Sequence, residues 1–261
     1  MQPDVVIIGS GMGGATLAAA LAPTGRNVLI LERGVHLKPS HQDRDARAIF
    51  GDGVFRPDEE WIDGEGQRFN PGNYYNVGGN SKFYGAALIR YRKEDFGMVF
   101  HEGGTTPGWP ISYDDLEGDY QAAESLYQVR GALGDDPTEP YHSGDYPHTP
   151  IADEPDIADL RARLKQAGLR PSMVPLGVDI ERWLASGKTT WDAYPNTCGG
   201  KMDAETCGLA SALAHKNVNL LTGCRVVEIL VDPSGHATGV RYEKDAKALE
   251  LSAPIVVLAA G

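Results

Sequence analysis

Long apolar runs, cysteines and basic side chains are all scarce in this 261-residue chain. No stretch of ~20 uninterrupted apolar residues occurs, so no segment reads as a bilayer-spanning helix. No basic run precedes the first apolar segment, so no export signal is read there. Three cysteines, Cys198, Cys207 and Cys224, are too few for a disulfide framework and point to a reducing, cytoplasmic setting. Cys198 and Cys207 have no paired histidines beside them, which is no zinc spacing and leaves them as buried or incidental thiols. Twenty-four basic side chains against 36 acidic ones give a formal charge of −12, the wrong sign for neutralising a nucleic-acid backbone. Neither GxSxG nor HExxH is present, which removes the common hydrolase readings. What remains is a chain that is 41% hydrophobic and 23% charged, with 32 glycines and 17 prolines. That composition excludes disorder and collagen and suits a soluble globular protein with many tight turns, built as one large α/β domain or two modest ones.

The first 34 residues predict strand, helix, strand. Val5 to Ile8 is fully apolar and β-branched, as a central parallel strand covered on both faces should be. Ala15 to Leu21 follows as an alanine-rich helix closed by Gly25, and Val28 to Leu31 is a second buried strand. From His36 to Asn76 no clean period survives, and scattered aromatics (Phe55, Trp61, Phe69, Tyr74, Tyr75) mark a long ordered excursion, more in keeping with satellite core than with a substrate cover. Ser112 with Asp115 forms a capping-box pattern, and Leu116, Tyr120, Ala123 and Tyr127 then recur on one helical face. Five prolines between Gly131 and Pro155 indicate a surface connection, in which His142 and His148 are expected to be solvated. Ile157, Leu160 and Leu164 mark a helix ended by Gly168, and Ala204 to Ala214 another. Val218 to Leu221, Val226 to Val231, Gly239 to Tyr242 and Ile255 to Ala259 read as strands, with a turn at Pro233 to Gly235.

The sharpest chemical signal is Gly9-Ser-Gly11-Met-Gly13-Gly14, directly after a strand and opening a helix, with Glu32 at the end of the next strand. That context is the dinucleotide fingerprint. Gly9 permits the tight turn, Gly11 lets the backbone approach a pyrophosphate, and Gly14 allows close packing of helix on strand. Phosphates then rest on the helix N-terminus, where free N–H groups and the helix dipole favour negative charge. Glu32 would accept hydrogen bonds from ribose hydroxyls and repel a 2′-phosphate, which disfavours NADP. The fingerprint alone does not choose between FAD and NAD. A second loop, Val77-Gly78-Gly79-Asn80-Ser81, again lets backbone approach something bulky, although by itself it could be an ordinary turn.

Taken together, Val6-Ile-Ile-Gly9-Ser-Gly11-Met-Gly-Gly14, Leu31-Glu32-Arg33-Gly34, Val77 to Ser81, Trp109-Pro110-Ile-Ser-Tyr113-Asp-Asp115-Leu and the closing Val257-Leu-Ala-Ala-Gly261 stand in an order that resembles the glucose-methanol-choline (GMC) oxidoreductases. The resemblance implies an α/β, Rossmann-type FAD-binding domain with a parallel central sheet plus part of a substrate-side lobe. It places residues 1–130 and 203–261 in the FAD-binding domain and 131–202 in the connection and partial lobe. It puts Gly9, Ser10, Gly11, Gly13 and Gly14 at the pyrophosphate, Glu32 and Arg33 at the adenosine end, and Gly78, Gly79, Asn80 and Ser81 along the flavin. Val226, in Leu221-Thr-Gly223-Cys-Arg-Val226, would meet adenine through its backbone, and Ala260 with Gly261 would close the cradle; Val226 also reads as a core strand residue.

The implied reaction is oxidation of a CH–OH group of an alcohol or sugar with FAD as hydride acceptor, with oxygen or another electron acceptor as second partner. Members with covalently attached flavin carry a histidine after the paired glycines. Here the stretch reads Lys82-Phe83-Tyr84, so non-covalent FAD is expected, and Tyr84 stands where many members have asparagine. The family's catalytic histidine lies in a C-terminal half, so no catalytic residue is named in this chain. Because Ile255 to Gly261 is an apolar strand reaching a loop, the chain reads as the front portion of a longer enzyme. Two alternatives stay open at this point: an NAD-dependent dehydrogenase, and a cofactor-binding piece without turnover.

Overall fold

The computed structural model describes residues 2–187 and 192–260. In chain order its regular elements are β1 (Val5–Ile8), α1 (Met12–Leu21), β2 (Val28–Leu31), β3 (Trp61–Ile62), β4 (Arg68–Phe69), β5 (Val99–His101), β6 (Gly104–Thr106), α2 (Tyr113–Leu126), α3 (Pro155–Gln166), α4 (Ile180–Ala185), α5 (Ala210–Leu213), β7 (Val218–Leu221), β8 (Arg225–Val231), β9 (Ala237–Lys244), β10 (Lys247–Ser252) and β11 (Ile255–Leu258). They form two compact units, one of residues 1–85 and 181–261 and one of residues 86–180.

The first unit is built on a parallel sheet of order β11-β1-β2-β7. Its registers are regular: Val5 to Ile8 lie opposite Val28 to Leu31 on one side and Ile255 to Leu258 on the other. Strand side chains alternate faces, and on the central strands β1 and β2 both faces are covered, whereas the edge strand β11 leaves Ile255 and Leu258 exposed although its apolar run reads as a buried strand. Val5, Ile7, Val28, Ile30 and Val218 pack with Ala15, Ala18 and Leu209 on one side. Val6, Ile8 and Leu31 pack with Cys224, Val240 and Ala253 on the other. Each fully buried Val, Leu or Ile contributes roughly 1.5–3 kcal/mol, which is why these strands read as continuous apolar runs. The second layer is an antiparallel sheet of order β10-β9-β8. β10 was not foreseen: Lys247–Ser252 carries only Leu249 and Leu251 as large apolar residues and is mostly exposed.

Helix α1 begins earlier than the alanine run suggests, at Met12, and ends through a tight turn at Gly25 with φ +76°. The helix foreseen at Ala204 to Ala214 opens as a π-helical turn, Ala204–Leu209, before α5. Asp203 caps it by accepting from Thr206 N at 2.7 Å.

In the second unit, Ser112 and Asp115 cap α2 reciprocally, as the sequence indicates. Arg90 is buried against this helix, with its guanidinium donating to both carboxylate oxygens of Glu124 (2.7 and 2.7 Å), to Tyr113 Oη (2.8 Å), to Glu117 (3.1 Å) and to Gln121 (3.1 Å). Its pKa is raised: burial opposes the charge, and the hydrogen bonds to Glu124 and Tyr113 outweigh that. The expectation of solvated histidines fails for His142, whose side chain is 2% exposed, with Nε2 3.3 Å from Glu139 and Nδ1 3.8 Å from Glu124. Its ring also lies 5.1 Å from that of Tyr146. Burial, followed by the positive charge of Arg90, lowers its pKa. The proline-rich composition hides this because the segment folds back on a polar cluster rather than on an apolar one. His148 is half-buried, with Nε2 2.8 Å from Gln128 Oε1.

Candidate functional site: a glycine-lined cradle at the N-terminus of the first helix

Strand β1 delivers the chain to Gly9 at φ +100°, a conformation that glycine adopts without a Cβ penalty. A side chain there would strike Ala259 O at 2.6 Å and Ala260 Cα at 3.1 Å, which sets Ala260 against the turn. Gly14 has a different reason to be glycine: a Cβ would lie 2.1 Å from Gly9 O and 3.2 Å from Ile7 Cγ2, so helix and strand touch backbone to backbone. Gly11 and Gly13 meet nothing within 4 Å in the same test, and Gly11 caps the helix without a side-chain hydrogen bond. The helix N-terminus is thus free of side-chain caps and of crowding, the geometry that accepts an anion on its N–H groups.

Behind this turn Ser10 and Glu32 are buried together. Glu32 Oε2 accepts from Ser10 N (2.9 Å) and Ser10 Oγ (2.5 Å), while Oε1 accepts from Gly34 N (2.7 Å). A carboxylate oxygen can accept more than one hydrogen bond, so Glu32 keeps acceptor capacity while it fixes both loops. The second glycine loop folds onto the first. Gly78, at φ +90°, donates its N–H to Ser10 Oγ (3.1 Å), and a Cβ on Gly79 would sit 3.4 Å from Gly11 Cα. Ser81 Oγ donates to Gly78 O (2.6 Å) and accepts from Ala204 N (3.1 Å), which holds the loop against the π-helical turn. Gly9, Ser10, Gly11, Gly14, Glu32, Gly78, Gly79, Ser81 and Ala260 therefore converge. Asn80 turns its side chain toward its own loop, accepting from Tyr74 N (2.8 Å). Val226 packs in the second apolar layer, and the neighbouring Cys224 N donates to Glu32 O (2.8 Å). Gly261 lies outside the described residues.

Arg33 extends the site. Its guanidinium stacks 3.8 Å over the Tyr75 ring and lies 3.8 Å from Glu59, which also accepts from Tyr75 Oη. Tyr74 stacks on Phe83 at 3.7 Å, so part of the aromatic excursion does serve as satellite packing, while Trp61 and Phe69 stay exposed.

Sequence reasoning missed the buried charges under the second loop. Lys82 Nζ lies 2.7 Å from Glu205 Oε2 and 3.1 Å from Asp203 Oδ2, and Glu205 Oε1 is 2.6 Å from His36 Nδ1. Burial would raise the Glu205 carboxyl, but Lys82 and then His36 outweigh it and hold it below its ordinary value. Lys201 Nζ donates to Tyr84 O (2.7 Å) and Tyr194 O (2.9 Å), and burial pushes its ammonium down to about 8. Apart from Lys201 and Tyr194, these partners are separated by more than a hundred residues, so no local pattern announces them; Lys201 directly after Gly199 and Gly200 was the one available cue. Among the described residues no group of three or more His, Cys, Asp or Glu side chains could hold a metal ion, and no helix is long and apolar enough to cross a membrane.

A family model described as DAO, FAD dependent oxidoreductase, matches residues 4–261. The chain is 33% identical over 247 residues to 6'''-hydroxyparomomycin C oxidase of Streptomyces lividus, covering 91% of this chain and 44% of that protein. It is 30% identical over 244 residues to paromamine 6'-oxidase of Streptomyces fradiae, covering 88% and 41%. Against the oxygen-dependent choline dehydrogenase of Rhizobium meliloti (strain 1021) identity is 29%, covering 94% and 42%. The crystal structure of pyridoxine 4-oxidase from Mesorbium loti superposes with a TM-score of 0.60 at 18% identity over 100% of this chain and 50% of that one, a likeness of fold. The chain spans somewhat under half the length of these curated relatives.

Proposed function

This chain belongs to the FAD dependent oxidoreductases, its relatives being of the GMC type, and from that premise we propose that it builds the FAD cradle of an enzyme that oxidises a CH–OH group of an alcohol or sugar. The convergence of the two glycine loops on the uncapped N-terminus of α1, with Glu32 buried behind them, carries the reading. Bound FAD supplies the hydride acceptor.

The first-turn N–H groups at Gly11, Gly13 and Gly14 would take the pyrophosphate, with Gly9 and Ser10 shaping the turn. Glu32 would accept the ribose hydroxyls and Arg33 would cover the adenosine end, near the backbone of Val226. Gly78, Gly79, Asn80 and Ser81 would run along the flavin, and Ala260 would close the far side. FAD is proposed to bind without a covalent bond. Lys82 is held by Asp203 and Glu205, Tyr84 Oη donates to Met202 O (2.6 Å), and no histidine stands between Gly79 and Tyr84.

Relatives named for oxidising paromamine, a hydroxyparomomycin, choline and 2-methyl-1,2-propanediol support a hydroxyl-bearing small molecule as substrate, with oxygen or another acceptor as second partner. Residues 131–202, which overlap the second unit, are proposed to contribute to the substrate side. The base that takes the hydroxyl proton is assigned to the part of the relatives that this chain does not span. A reducing, cytoplasmic location is proposed on the unpaired state of the three thiols.

The test is direct. The protein purified with its cofactor should be yellow and should release all of its flavin on acid denaturation. Joined to the portion of the relatives that this chain does not span, it should reduce an artificial acceptor when given a panel of alcohols, amino sugars and sugars. Colourless protein that binds NADH instead would overturn the reading.

A further inference from the structure

We propose that Lys82 is a positioning residue of the cofactor cradle, a buried strut that fixes the second glycine loop in its flavin-receiving shape before FAD arrives. The inference rests on the FAD reading above and adds to it a residue that acts through the loop. Lys82 ends the short helical turn Gly79–Lys82, yet its side chain runs back beneath the start of that turn. A Cβ on Gly78 would meet Lys82 Cδ at 3.1 Å, so the aliphatic stem fills the space under Gly78. Beyond the stem, the ammonium is fixed by Glu205 Oε2 at 2.7 Å and by Asp203 Oδ2 at 3.1 Å.

Both ends of the strut are themselves pinned. Asp203 Oδ2 also accepts from Asn196 Nδ2 (2.6 Å) and Oδ1 from Thr206 N (2.7 Å), so the buried carboxylate cannot follow a displaced lysine. On the loop, Asn196 N donates to Lys82 O (2.8 Å) and Ala204 N to Ser81 Oγ (3.1 Å). Gly78 N donates to Ser10 Oγ (3.1 Å), and a Cβ on Gly79 would lie 3.4 Å from Gly11 Cα, which carries the geometry on to the first loop. A buried ammonium between carboxylates gains little net stability over neutral side chains of similar volume, because desolvation offsets much of the attraction. What it does supply is a single geometry, since an ammonium hydrogen-bonded to two fixed acceptors cannot slide as a methyl group can. Lys82 therefore serves the shape of the loop more than the stability of the fold.

The test compares the wild-type full chain with Lys82→Met/Glu205→Gln and Lys82→Arg. The double variant removes one positive and one negative charge together, so the charge summed over Lys82, Glu205 and the neighbouring Asp203, Lys201, Asp192 and Arg44 is unchanged. Methionine keeps the stem, and glutamine keeps an acceptor for His36. The double variant should melt within a few degrees of the wild type but bind FAD roughly 10- to 100-fold more weakly, as expected when the loop holds its competent shape only ~1–10% of the time. Lys82→Arg restores the cation with a different fork and should recover part of that loss. Hydrogen exchange without FAD should find the amides of residues 78–82 protected in the wild type and released in the double variant, with β1 and α1 unchanged. Wild-type affinity in the double variant, an arginine variant no better than it, or a wild-type loop unprotected until FAD is added overturns the proposal. A double variant that melts far lower, loosens throughout the first unit or does not fold makes Lys82 a support of the fold and also overturns it. Wild-type protein that binds no FAD, with its loop protected, overturns instead the functional reading on which the proposal stands.

Discussion

Two adjacent glycines should respond to the same substitution with opposite signs. In Gly14→Ala the new methyl would lie 2.1 Å from Gly9 O and 3.2 Å from Ile7 Cγ2, one the backbone of the turn and the other a buried side chain of β1, neither of them a flexible tip. Helix α1 must withdraw by roughly 1 Å, at an overpacking cost of about 1–3 kcal/mol that the better helix propensity of alanine offsets only partly. In Gly13→Ala the methyl meets nothing within 4 Å on the exposed side of the same helix, so only the helix preference remains, a gain of about 0.5–1 kcal/mol. Thermal melting of FAD-free protein measures both. At about 2–4 °C per kcal/mol for a chain of this size, Gly14→Ala should melt several degrees lower and Gly13→Ala a few degrees higher. Equal shifts in one direction, or an unchanged melt for Gly14→Ala, would refute the backbone-contact explanation of the fingerprint's last glycine.

Arg90→Met should cost about 3–5 kcal/mol in urea denaturation of the second unit, because Glu124 and Glu117 lose their buried cation; Arg90→Lys should recover only part, since an ammonium cannot replace the bidentate fork. Lys201 predicts a pH signature with a defined sign. Its folded pKa of about 8 lies below the ordinary 10.5, so the folded state carries a penalty below pH ~8 that fades as the pH rises toward the unfolded value. Stability should therefore climb by about 1 kcal/mol between pH ~8 and ~9 and flatten in Lys201→Met; the window stops there because Cys207, pushed up to about 12 by burial, acts with the opposite sign above its ordinary 9.0. Glu32→Gln places an amide against N–H donors that need an acceptor, and FAD affinity measured by flavin fluorescence should fall by about 10- to 100-fold.

Much of the first unit was legible because its period is local. Val5–Ile8 and Val28–Leu31 are found at the residues where continuous apolar runs predict strands covered on both faces, and Gly25 ends its helix where expected. Ser112 and Asp115 announced α2 by a three-residue spacing. The elements that escaped are those stabilised from outside. α4 has six residues with only Ile180, Trp183 and Leu184 as large apolar side chains, and β3 to β6 are short hairpin strands with exposed side chains, so none develops a period. At the candidate site the glycines and Glu32 were readable as backbone requirements. The charges beneath them were not, since Lys82 meets Asp203 and Glu205 only after the chain has closed. His142 misled for the complementary reason: prolines and acidic residues around it signal surface, while Glu124, Glu139 and Tyr146 enclose it.

Titration of cofactor-free protein with FAD, followed by acid denaturation, tests the cradle most directly. Quenching or enhancement of flavin fluorescence should saturate at one FAD per chain, should weaken in Glu32→Gln, and all of the flavin should return to solution on denaturation. Absence of saturable FAD binding, with NADH bound in its place, would contradict the proposed function at its base.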